Sequence, residues 1–132
     1  MLSKNLLIKI EAEVELAATA HLNVKDKTTA LSHFTDDVFA VSNTRVFSSR
    51  EELAAEIDGY YKNLKTVNHA AWEDIHIKVI NEKAATFTAK FKYGFTSIDD
   101  EVTNLVGVWT ALFIFDQGAW KIRLRHESFE QT

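Results

Sequence analysis

From Val67 onward the sequence runs on a period of two. Apolar and polar residues alternate along four long stretches, Val67–Ile80, Ala84–Ser97, Val102–Phe115 and Ala119–Phe129. The linkers are short and polar: Asn81-Glu82-Lys83, Ile98-Asp99-Asp100-Glu101 and Asp116-Gln117-Gly118. Strand side chains alternate between faces, so four such runs on short connections predict an antiparallel meander. Strands usually run to about five or six residues. Longer ones twist and curl, which predicts a strongly curved sheet rather than a flat one.

The first half reads as helices. Ser3 caps a predicted helix to about Val24, with Leu6, Ile10, Val14, Ala17, Ala18 and His21 at three- and four-residue steps. Asp26-Lys27-Thr28 breaks it and leads into a short predicted helix over 29–34. Thr35-Asp36-Asp37 reads as a turn, followed by short strands over 38–42 and 45–47 that pair across Asn43-Thr44. Ser49 and Glu52 stand at capping-box spacing and start a third helix to about Leu64, with Leu53, Ile57, Tyr60, Tyr61 and Leu64 on one stripe. Helices first and sheet second is the α+β pattern. The expectation is one domain over 1–132: three helices packed in a curved antiparallel sheet, forming a cone with an internal pocket.

Composition narrows the function. Hydrophobic residues at 46% and charged residues at 26% of 132 residues are ordinary for a globular domain. Cysteine is absent, which removes disulfides and thiolate zinc sites. A net charge of −4 speaks against nucleic acid as partner. No apolar run approaches the ~18 residues of a membrane span, and Leu6-Leu7-Ile8 is too short and too charged at its flanks for a signal peptide. The reading is a soluble, cytoplasmic protein with no membrane partner. His21, His33, His69 and His76 show no ligand spacing, so no metal site and no cofactor are expected.

Face assignments then place candidate residues. On the last strand Trp120, Ile122, Leu124, His126 and Ser128 alternate with Lys121, Arg123, Arg125 and Glu127. Uninterrupted alternation points His126 into the cone with the aromatics, where an imidazole could act as a base. It also leaves Arg123 and Arg125 peripheral and no acid facing inward from the long strands. Ordinary core burial of a neutral histidine is the competing explanation. Asp37, just before a strand, could assist; turn chemistry accounts equally for Asp36 and Asp37. Phe39, Trp72, Tyr93 and Trp109 would line a wall for a flat apolar ligand, or simply pack the core. Ser128 shares the face assigned to His126 and is expected to contact the ligand or assist that histidine. The run Val102–Phe115 is apolar on both faces, with Val106, Val108, Leu112 and Ile114 opposite the helix side. Both faces must then be covered, which predicts a homodimer through the open sheet face.

The run Ala30-Leu31-Ser32-His33-Phe34-Thr35-Asp36-Asp37-Val38, then Ser49-Arg50-Glu51-Glu52-Leu53, then four long strands closing on Trp120-Lys121-Ile122-Arg123-Leu124-Arg125-His126-Glu127-Ser128, resembles the SnoaL-like branch of the nuclear transport factor 2-like superfamily. The resemblance spans about residues 6 to 129. It implies the α+β cone and a choice among isomerases, dehydratases, cyclases, epoxide hydrolases and domains that only bind or associate. The groups a ketosteroid isomerase needs are missing: the positions carried over fall on Ser42, Ala18 and Ala111. An epoxide-hydrolase Asp-Arg-Asp group finds no inward acid. The expected function is therefore binding of a small apolar or aromatic molecule in the cone. The alternatives are proton-transfer catalysis with His126 as base, and association without a ligand.

Overall fold

The computed structural model describes residues 2–132. Its elements are α1 (Lys4–Leu22), α2 (Lys27–Ser32), β1 (Phe34–Ser42), β2 (Arg45–Phe47), α3 (Arg50–Asn63), β3 (Leu64–Asn81), β4 (Ala84–Ser97), β5 (Val102–Asp116) and β6 (Ala119–Gln131). Local chemistry sets the helix starts. Ser3 accepts from the Leu6 amide at 3.1 Å, Asp26 from Thr29 at 2.8 Å and Ser49 from Glu52 at 3.1 Å, each satisfying a donor that the first turn leaves unpaired. The Glu52 carboxylate reaches back to the Ser48 amide at 2.8 Å, one residue before the expected partner.

The strands form one six-stranded sheet in the order β2-β1-β6-β5-β4-β3. The last four make the expected meander. The curved, unclosed sheet wraps the three helices as an α+β cone. Strand β1 lies beside β6 and runs parallel to it, which brings the start of the sheet against its end. Strand β1 begins at Phe34, so Thr35-Asp36-Asp37 is strand rather than the expected turn. Its register against β6 shifts between Phe34 and Phe39, and Asp36 and Asp37 both face solvent. Ile10, Val14 and Ala18 of α1 pack against Phe87, Phe113 and Ile122 of the sheet, all essentially buried.

One irregularity decides what enters the cone. In the β5–β6 ladder Phe113 pairs with Ile122, but the next residue, Leu112, pairs with Leu124. Arg123 is an extra residue, a β-bulge. A bulge inverts the alternation beyond it, because a one-residue slip moves every following side chain to the other face. Trp120 and Ile122 face inward as the pattern predicts. After the bulge Arg125 and Glu127 turn inward beside Ala111 and Trp109, while His126 and Ser128 turn outward beside Thr110 and Val108. The peripheral reading of Arg125, the inward reading of His126 and the absence of an inward acid are thus all corrected by one residue.

Among the described residues no helix is long and apolar enough to cross a membrane.

Candidate functional site

The interior polar groups gather around Trp109. This ring is buried on β5, with Trp72 of β3 at 5.2 Å between centroids on one flank and His21 of α1 at 6.0 Å on another. Arg125 and Glu127 enter from the neighbouring strand, opposite Ala111 and Trp109. Here the chain brings cationic, acidic, imidazole and indole groups into an aromatic interior.

Arg125 anchors this cluster. Its residue exposure is 8%. Its Nη2 donates to the Ser42 hydroxyl at 2.8 Å, and that hydroxyl donates to Glu127 Oε2 at 3.0 Å. The Arg125 Nε lies 3.6 Å from Glu127 Oε1, an ion pair beyond hydrogen-bond reach, and the Nε–H has no partner. A buried charge persists when an opposite charge and hydrogen bonds compensate it. Ser42 supplies the link from β1, and β1 is held at its end by Asn43, whose side chain accepts from the Phe129 amide at 2.8 Å. Asn43 takes φ 53° at this turn, a left-handed conformation that asparagine tolerates.

His21 ends the apolar stripe of α1. Its Nδ1 lies 2.9 Å from His33 Nδ1, at the end of α2. The His21 ring also meets Phe34 edge-on, at 5.1 Å. Burial, the neighbouring His33 and the Arg125 charge push its pKa down to about 3; burial also lowers that of His33. Both rings are neutral at physiological pH. Two neutral imidazoles joined Nδ1 to Nδ1 share one proton in that bond, so they must hold opposite tautomers. Sequence periodicity had already put His21 on the buried stripe; its pairing with His33 across the α1–α2 turn carried no sequence signal.

A second polar pair lies near the rim. The Tyr60 and Tyr93 hydroxyls are hydrogen-bonded, within a cluster that includes Tyr61 and Phe95. Burial raises the pKa of both, with the shared bond adding to the rise at Tyr60. Tyr61 is pushed up to about 12, first by burial and then by Tyr93 and Asp26. These phenols stay protonated and can donate. Trp72 Nε1 is a buried donor with no partner, packed among Phe87, Phe91 and Trp109.

The seven residues singled out from the sequence divide cleanly. Trp72, Tyr93 and Trp109 face the interior as expected. Phe39 is 37% exposed and faces outward, because β1 buries Val38 and Ala40 instead. Asp37 is exposed and pairs with Arg123 at 3.0 Å, on the outer face at the bulge. His126 and Ser128 are exposed on that same face. None of these four reaches the Trp109 cluster. Two surface cavities, of about 440 and 670 Å³, also lie on the outer face; Val108 and Ser128 line the first and Asp37 and Leu124 the second. Among the described residues no three His, Asp or Glu side chains group as metal ligands.

A SnoaL-like domain model matches residues 12–131. The chain belongs to the SnoaL-like family. No curated protein matches the sequence. Solved structures share the fold of this SnoaL-like chain at low identity. A candidate scytalone dehydratase of Novosphingobium aromaticivorans has TM-score 0.86 at 12% identity, covering 98% of this chain and 89% of the other. A ketosteroid isomerase-like protein of Erwinia carotovora atroseptica has TM-score 0.77 at 19% identity, covering 97% and 98%. A candidate dehydratase of the NTF2-like family from Streptomyces avermitilis has TM-score 0.77 at 21% identity, covering 89% and 94%. The SnoaL-like chain thus has the nuclear transport factor 2-like cone.

Proposed function

We propose that this protein binds a small, flat, largely aromatic molecule at the rim of its cone, against Trp72, Trp109 and Tyr93. The supporting observation is the Trp72 indole N–H, a buried donor without a partner beside aromatic faces. Buried donors in native proteins are normally satisfied, and an oxygen on an aromatic ligand would satisfy this one while its ring stacks. Trp72, Tyr93 and His21 are only partly buried, so the rim is where a ligand gains entry. The probe is 1-naphthol, read by tryptophan fluorescence and thermal melting. Binding should quench fluorescence and raise the melting temperature. Trp72→Phe keeps an aromatic ring but loses the donor, and should weaken binding about tenfold, the equivalent of one hydrogen bond. Neither quenching nor a shifted melt at saturating naphthol would reject the reading.

We also propose that two copies pair through the outer sheet face. Val108 is 43% and Leu124 41% exposed there, beside Val106, Leu112 and Ile114 on β5. Lys90 and Lys92 flank this stripe on β4 and Glu130 flanks it on β6. A two-fold axis along β5 sets β4 of one copy against β6 of the other, which places opposite charges together. Light scattering should give about twice the 15.0 kDa chain mass, reduced to one chain by Val108→Asp. A monomer at micromolar concentration rejects the pairing.

A further inference from the structure

The His21–His33 pair does more than fill space. One nitrogen of each ring is committed to the other at 2.9 Å. His21 sits beside Trp109, close enough to Arg125 to feel its charge. Arg125 donates to the Ser42 hydroxyl at 2.8 Å yet has an Nε–H with no acceptor. A neutral base and a fixed, partly unsatisfied cation therefore face one aromatic interior. That is what a proton abstraction needs: a group to take the proton, and a charge to receive the electron pair it leaves.

We propose that His21 is a general base toward a flat, weakly acidic carbon or hydroxyl acid, that His33 sets its tautomer, and that Arg125 receives the negative oxygen that develops. The inference rests on the reading of the cone as a binding site for a flat molecule. His21 holds its proton on Nδ1, donated to the bare Nδ1 of His33, which leaves His21 Nε2 as the basic nitrogen. His33 then carries its own proton on Nε2. When His21 Nε2 takes a proton from the substrate, the Nδ1 proton passes to His33 Nδ1 and His33 releases its Nε2 proton to water. The pair ends neutral, with both tautomers exchanged. One proton has moved from the cone to solvent, and the substrate's electron pair rests on an oxygen beside Arg125. His33 is a positioning residue and His21 the catalytic one. The lowered pKa keeps both rings unprotonated at neutral pH, and because it also makes an isolated His21 a weak base, the onward transfer of the Nδ1 proton to His33 is what lets His21 take one.

Two measurements test it. The first needs no ligand: imidazole nitrogen-15 shifts at neutral pH, assigned with His21→Gln and His33→Gln. His21 should show a protonated Nδ1 and a bare Nε2, and His33 the reverse. The opposite pair of tautomers overturns the proposal. The second uses 5-nitrobenzisoxazole, a flat carbon acid. Loss of its ring C–H proton forms the nitrile, breaks the N–O bond and leaves a coloured phenolate. The protein should accelerate this opening, and His21→Gln should lose about a hundredfold, the low end of general-base catalysis. His33→Leu should also lose rate and shift the His21 nitrogen signals, while His33→Gln, whose amide oxygen still accepts from Nδ1–H but cannot pass a proton on, should restore the nitrogen signals and leave the rate low. Equal rates for the protein and His21→Gln, both folded by thermal melt, overturn the proposal. If naphthol binds but the benzisoxazole opens no faster than with His21→Gln, the base fails and the binding reading stands. If naphthol does not bind, the binding reading fails and the tautomers alone decide for His21.

Discussion

Strand β6 is two strands in one. Before Arg123, Trp120 and Ile122 point inward in step with the sequence alternation. After it, the residues that alternation assigns to solvent, Arg125 and Glu127, are inside, and those it assigns to the core are outside. The halves have the same apparent pattern and opposite geometry. Hydrophobic alternation sets a face only while the ladder is unbroken. A single bulge carries a charged pair into an interior whose composition would otherwise forbid it. The compensation comes from β1, whose parallel pairing with β6 sets Ser42 level with Glu127.

Inserting one alanine between Leu124 and Arg125 is the harshest way to break this contrast. It slips the rest of β6 by one residue beyond the bulge, so His126 and Ser128 move to the inner face while Arg125 and Glu127 lose the interior and Ser42. Loss of cooperative folding is expected, seen as the disappearance of the thermal transition; a native-like melt would mean that the fold does not depend on Arg125 and Glu127 facing inward.

Truncating Arg125 to alanine is milder. It leaves Glu127, with a side chain 22% exposed, facing inward without its cation. Breaking a buried pair from one side typically costs about 3–5 kcal/mol. Partial exposure of Glu127 puts the expectation near the lower end, about 3 kcal/mol by urea denaturation.

Acid should act next. The folded pKa of His21, about 3, lies below the ordinary 6.5, and that of His33 is lowered too. The unfolded chain therefore binds more protons in this window. The stability His21 contributes is present above about pH 6.5 and falls as pH drops toward 3, at up to about 1.4 kcal/mol per pH unit, and His33 adds to it in the same direction. Carboxylates join below about pH 5, so the clean interval is pH 6.5 to 5. His33 and Arg125 are the groups that add to burial at His21. Denaturation midpoints for the protein and His21→Gln should converge as pH falls through that interval; parallel curves would mean that His21 is not held neutral by the fold.

The smallest effect belongs to the residue the sequence singled out most sharply. His126→Ala removes an exposed side chain opposite Thr110 and should change monomer stability by no more than about 0.5 kcal/mol, with naphthol binding unaltered. A loss of several-fold in naphthol affinity would put the imidazole back inside the cone.

Much of the fold was legible because it rests on local chemistry. Ser3, Asp26 and Ser49 cap helices where cap residues stand in the sequence, and the Gln117-Gly118 turn takes the positive φ values, 52° and 82°, that a tight hairpin uses. The aromatic wall was legible for the same reason, since Tyr93 and Trp109 lie on unbroken alternation in β4 and β5. The polar site was not. Nothing about Leu124-Arg125-His126 marks a bulge two residues earlier, because a bulge is a property of the pair of strands and not of one. Phe39 and Asp37 were misplaced for a simpler reason: β1 turns Val38 and Ala40 inward, which sends both of them to the outer face. His21 lay on a stripe that could be read, but its significance comes from His33, brought to it by the turn between α1 and α2.

The inversion of β6 is tested most directly by cross-strand nuclear Overhauser contacts of the Trp109 side chain. With the bulge, Trp109 faces Glu127 and the His126 ring faces Thr110, so contacts from Trp109 to the Glu127 methylenes and from the His126 ring to the Thr110 methyl are predicted. Without it, the ladder from Phe113 and Ile122 would continue in step and set Trp109 opposite His126. Strong contacts between the Trp109 indole and the His126 ring, with none to Glu127, would contradict the account.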